Sequence, residues 1–74
     1  MKEITIALKS IDDVKEFVKI VNMYDFDVDM VSGRHIVDAK SIMGIFSLDL
    51  SKSIKLNIHA THCDKFLDEI KKFA

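Results

Sequence analysis

The hydrophobic period of the chain switches at Ser10, and that switch limits what the chain can fold into. From Glu3 to Leu8, the apolar residues Ile4, Ile6 and Leu8 alternate with Glu3, Thr5 and Ala7, the pattern of a strand with one buried face. Beyond Ser10, Ile11, Val14, Phe17, Val18 and Val21 recur at helical spacing, while Asp12, Lys15, Glu16 and Lys19 take the other side. Ser10 followed three residues later by Asp13 resembles a capping box, and acids in the first turn suit the helix dipole, so the helix is expected to begin there.

The same two periods recur along the rest of the chain. The helical pattern ends around Asn22 to Asp25, after which Phe26, Val28 and Met30 alternate with Asp25, Asp27 and Asp29, a second strand with an acidic outer face. Ser32-Gly33-Arg34 supplies turn residues, which makes His35 to Asp38 the return strand of a hairpin. Ser41 is placed to cap a short helix. Ser53 to Ala60 alternates again, with Ile54, Leu56 and Ile58 opposite Lys55, Asn57 and His59. Thr61 and Asp64 offer a second capping-box pattern ahead of a stripe of Cys63, Phe66, Leu67, Ile70 and Phe73. Elements with one apolar face each are satisfied by two layers. The expected fold is an α+β open-faced sandwich, a four-stranded antiparallel sheet covered on one side by helices in the order βαββαβα, with the aspartates, Lys55 and His59 on the open face.

Seventy-four residues imply one domain over 1–74, and folding at this size buries only about 60% of the unfolded chain's surface. A composition that is 49% hydrophobic, with no proline and two glycines, argues for a packed domain rather than a linker. Eleven basic residues against twelve acidic ones give a net charge of -1, which lacks the general attraction to phosphate backbones that nucleic-acid binders use. Cys63 is the one cysteine, so no intrachain disulfide is expected. The start of the chain has no secretory pattern, and no stretch reaches the roughly 20 apolar residues of a membrane span. A cytoplasmic location without membrane contact is the expectation.

Enzyme signatures are weak. Asp25, Asp27 and Asp29 start like a calcium loop, but Met30 and Ile36 stand where that loop needs a glycine and a glutamate, so a solvated strand face is the simpler reading. His59, His62 and Cys63 lack a fourth zinc ligand at suitable spacing, and a cysteine on an apolar stripe is an inert buried thiol rather than a nucleophile. The expectation is therefore no catalytic residue, no metal site and no cofactor. Ser41 differs, because its role depends on placement. A capping serine is ordinary, yet a phosphate there would lie at the positive end of a helix beside Lys40 and alter the surface rather than the fold. In Lys40-Ser41-Ile42-Met43-Gly44-Ile45-Phe46-Ser47-Leu48-Asp49-Leu50, a two-turn helix cannot bury all of its large apolar residues against one neighbour.

This stretch, together with Tyr24-Asp25-Phe26-Asp27-Val28 upstream, closely resembles the regulatory-serine segment of HPr, the phosphocarrier of the bacterial sugar phosphotransferase system. The likeness is sharp over residues 24 to 50, and the order of elements extends it to nearly the whole chain. It implies that Ser41 is the target of an HPr kinase/phosphorylase. It also implies that Lys40, Ile42, Met43, Phe46 and Ser47 form a docking surface, with Ile42, Met43 and Phe46 outward and Ile45 and Leu48 inward. The family's catalytic histidine lies in a Gly-Ile-His-Ala-Arg-Pro-like sequence just before the first long helix, where this chain reads Lys9-Ser10-Ile11-Asp12-Asp13. Without an imidazole nucleophile, and with two carboxylates to repel a phosphoryl donor, relay at that site is not expected. His35, His59 and His62 do not match the motif.

The resemblance therefore points to a non-enzymatic regulatory and docking protein in carbon catabolite regulation, like catabolite-repression HPr, with protein partners that include the kinase/phosphorylase and a transcriptional regulator. An active phosphocarrier is the alternative, and a ligand-binding or self-association module on the same fold is a further one. The oligomeric state is left open.

Overall fold

The computed structural model describes residues 2–74. Its elements run β1 (Lys2–Ile6), α1 (Ile11–Val21), β2 (Val28–Ser32), β3 (His35–Asp38), α2 (Ile42–Phe46), β4 (Ile54–Ile58) and α3 (Asp64–Ile70), closed by a 3-10 turn over Lys71–Phe73. The strands form one antiparallel sheet in the order β1-β4-β2-β3, the expected α+β sandwich. Ile6 pairs with Ile54, Met30 with Leu56 and Val28 with Ile58, so the alternating apolar residues of three strands share the face beneath the helices. Val14, Phe17 and Val21 of α1 and Phe66 and Ile70 of α3 complete that core, and no polar or charged residue is buried among the described residues. No described helix is long and apolar enough to cross a membrane.

The start of α1 forms as its sequence requires. Ser10 has extended backbone and its hydroxyl accepts from the Asp13 amide at 3.1 Å, while the Asp13 carboxylate accepts from the Lys9 amide at 3.0 Å. One amide left without an intrahelical partner at the helix start, that of Asp13, is satisfied this way, while the Asp13 carboxylate reaches one residue beyond the capping-box position to Lys9.

Other expectations are corrected. β2 begins at Val28, not Phe26, because Phe26 turns toward Tyr24 and Phe66, with ring centroids 5.3 Å away in each case. Asp25 and Asp27 consequently lie in the connection, and of the three aspartates only Asp29 is on the strand. Thr61 does not cap α3. The cap is Cys63, without a side-chain hydrogen bond, because its thiol is drawn into the core and the helix starts immediately after it. His62 therefore precedes the helix, and His59 lies one residue past β4, its amide still donating to the Asp27 carbonyl at 2.9 Å. At the hairpin, Ser32 pairs with His35 and the turn is Gly33-Arg34, with Gly33 at φ +60°, the position of a type II′ turn that glycine serves. The C-terminal turn is tied down where Ala7 donates to the Phe73 carbonyl at 2.8 Å and the Phe73 ring meets Phe17 edge-on.

Candidate functional site

The segment around Ser41 is held by short-range bonds on one side and by α1 on the other. Asp38 ends β3, and its carboxylate accepts from the Lys40 amide at 2.9 Å while its carbonyl accepts from the Ser41 amide at 3.0 Å. A side chain bonding its own backbone two residues on is the turn chemistry of aspartate. From the far side, the side-chain Nδ2 of Asn22, just past the end of α1, donates to the Lys40 carbonyl at 3.4 Å and to the Val18 carbonyl at 2.9 Å. Ser41 is thereby presented at the start of α2, exposed, its oxygen accepting from the Gly44 amide at 3.2 Å. The contribution of Asn22 carried no sequence signal, since 18 residues separate it from Lys40.

α2 and the turn after it divide their apolar residues as their length demands. Ile45 is fully buried and Leu48 nearly so, whereas Met43 is 78% exposed and Phe46 44% exposed. Ile42, expected outward with them, is half-buried against the core, because the first residue of α2 still faces the sheet. Lys40 is half-buried and Ser47 exposed, its hydroxyl donating to the Gly44 carbonyl at 2.5 Å. The close seat of α2 depends on Gly44, where an added Cβ would lie 3.3 Å from Val37 Cβ and 3.4 Å from Ser41 Oγ.

The start of α1 offers a different chemistry. Ser10, Ile11 and Asp12 are exposed, with Ile11 62% accessible, and the Ser10 hydroxyl and the Asp13 carboxylate accept from the Asp13 and Lys9 amides. The histidines lie elsewhere: His35 opens β3, His62 is exposed before α3, and His59 on the open sheet face puts a ring nitrogen 2.8 Å from Asp29 Oδ2. Lys55 and Glu3 form a looser pair on that face at 3.7 Å.

Among the described residues, Tyr24 and Asp49 have perturbed titrations. Tyr24, half-buried beside α3, donates its phenol proton to Glu69, and that bond, aided by partial desolvation and the carboxylate's charge, pushes its pKa up to about 12. Asp49 accepts from the Ser51 hydroxyl and amide, which hold its carboxyl below the ordinary carboxylate value.

A family model described as the PTS HPr component phosphorylation site matches residues 13–74. Among solved structures, HPr-C-His from Thermoanaerobacter tengcongensis is similar with a TM-score of 0.81 at 26% identity, over 97% of this chain and 89% of that one. Phosphocarrier protein HPr from Bacillus anthracis str. Ames is similar with a TM-score of 0.74 at 23% identity, over 99% and 94%, a likeness that bears on the fold alone. No curated protein sequence matches.

Proposed function

The chain belongs to the HPr family, and from that premise we propose that it is a cytoplasmic, single-domain, non-catalytic member that works by docking to protein partners in carbon catabolite regulation and is switched by phosphorylation of Ser41. The observation that carries this reading is the pairing, within six residues, of an exposed capping serine with the uncovered side chains of Met43 and Phe46. A phosphate on Ser41 adds about -1.5 to -2 charge at the edge of an apolar patch without entering the core, so it changes which surface a partner can cover while leaving the fold in place. Lys40 precedes it and supplies a cation next to the new charge. The docking surface in this reading is Lys40, Ile42, Met43, Phe46 and Ser47, with Ile42 contributing its uncovered half.

The start of α1 supports the non-catalytic part. Where the family resemblance puts the phosphoaccepting imidazole, this chain has Ser10 with its hydroxyl committed to the Asp13 amide, beside the carboxylates of Asp12 and Asp13. An alcohol used as a helix cap next to two negative charges is a poor acceptor for a phosphoryl group.

Incubation with HPr kinase and ATP, and separately with enzyme I and phosphoenolpyruvate, followed by mass spectrometry, tests both parts. The expected result is one phosphate on Ser41 in the first reaction and no acid-labile phosphate in the second. An unmodified Ser41 overturns the switch, and labelling by enzyme I establishes an active phosphocarrier instead.

A further inference from the structure

We infer that the cleft between the β2–β3 turn and the connection from α2 to β4 binds a small phosphomonoester. The cleft has a volume of ≈ 420 Å³ and brings Arg34 and His35 of the hairpin against Lys52 of the connection. Its other walls are Ser32, Gly33, Ser47 and Asp49. Two permanent positive charges and an imidazole thus face one carboxylate, in a chain whose net charge is -1.

The single carboxylate in the lining has one oxygen already engaged. Asp49 Oδ1 accepts from the Ser51 amide at 3.1 Å and from the Ser51 hydroxyl at 2.5 Å, which spends that oxygen on its own loop. The Ser47 hydroxyl proton goes to the Gly44 carbonyl, leaving Ser32 as the hydroxyl donor available to a ligand. Arg34 supplies the planar fork that matches two oxygens of a phosphoryl group, and Lys52 supplies a mobile point charge. Gly33 has no atom within 4 Å of the position a Cβ would occupy, so an anion can approach the backbone of the turn there.

The volume falls within the range of small-molecule sites, and the one ring in the lining is the His35 imidazole. The inference is independent of Ser41, which does not line the cleft.

The test is an NMR titration of the full chain with inorganic phosphate and with glycerol 3-phosphate, against sodium chloride at matched ionic strength. Saturable shifts are expected at the Gly33, Arg34, His35 and Lys52 amides with both phosphates and not with chloride. The R34Q/K52Q variant, which changes two exposed side chains, is expected to bind about tenfold more weakly with its spectral dispersion intact. The D49N variant, which removes the cleft's carboxylate, is expected to bind more tightly. Equal shifts with chloride, or unchanged affinity in both variants, overturn the proposal.

Discussion

The Ser41 side-chain oxygen accepts a hydrogen bond from the Gly44 amide at 3.2 Å, so the residue proposed as a switch is also the N-cap of α2. The two roles separate by substitution. Ser41→Ala removes the cap and is expected to lower unfolding free energy by about 1 kcal/mol, whereas Ser41→Asp retains a capping oxygen and is expected to stay near wild type. Urea denaturation of both variants checks this, and equal losses would show that the cap contributes nothing.

Gly44 and Val37 set how closely α2 rides on the sheet. Alanine at position 44 is favoured by about 1 kcal/mol of helix propensity, but its Cβ would meet Val37 Cβ at 3.3 Å, on a strand that cannot shift independently of β2. Gly44→Ala is expected to destabilise wild type and to be tolerated better in a Val37→Ala background, with a coupling of at least about 0.5 kcal/mol in a double-mutant cycle. Additive effects would place the two residues out of contact.

The division of α2 into buried and exposed residues predicts opposite phenotypes two positions apart. Ile45→Ala is expected to cost about 2–5 kcal/mol, as a large-to-small change in a core. Met43→Ala is expected to stay within about 0.5 kcal/mol of wild type while reducing kcat/KM for phosphorylation by HPr kinase. A Met43 variant that is phosphorylated as efficiently as wild type would remove this side chain from the docking surface.

Tyr24 is the one tyrosine and the chain has no tryptophan, so its phenolate absorbance reports a single site. Because the hydrogen bond to Glu69 favours the neutral phenol, the folded pKa of about 12 lies above the ordinary tyrosine value of 10.0. The resulting stabilisation is fully present below about pH 10 and is lost as pH rises toward about 12. Glu69→Gln is expected to bring the absorbance midpoint back toward the ordinary tyrosine value and to flatten the alkaline loss of stability. An unchanged midpoint would mean that Glu69 is not the cause.

Much of this architecture is legible along the chain because a side chain's face depends on local geometry. The alternation of Ile54, Leu56 and Ile58 and the helical stripe of Val14, Phe17 and Val21 each identify a buried face without knowledge of a partner. Ser10 and Ser41 are readable as caps for the same reason, since a capping bond spans three residues. Thr61 is the instructive failure. Its spacing to Asp64 satisfies the local rule, but burial of Cys63 in the core fixes where α3 begins and leaves Thr61 too early to cap it.

Phe26 shows the same limit from the other direction. Period-2 alternation assigns it to a strand, while contact with Tyr24 and Phe66 turns it out of one, because aromatic packing across 40 residues outweighs a weak local preference. The sequence by itself determined the elements, their buried faces apart from Ile11, which is 62% exposed, the Ser41 cap and the surplus of apolar side chains on α2, all of which are properties of windows a few residues wide. Only the tertiary structure decided the strand order β1-β4-β2-β3, the half-burial of Ile42, the hold of Asn22 on Lys40 and the meeting of Arg34 with Lys52. Each of these is a choice of neighbour, and periodicity specifies which way a residue faces but not what it will face.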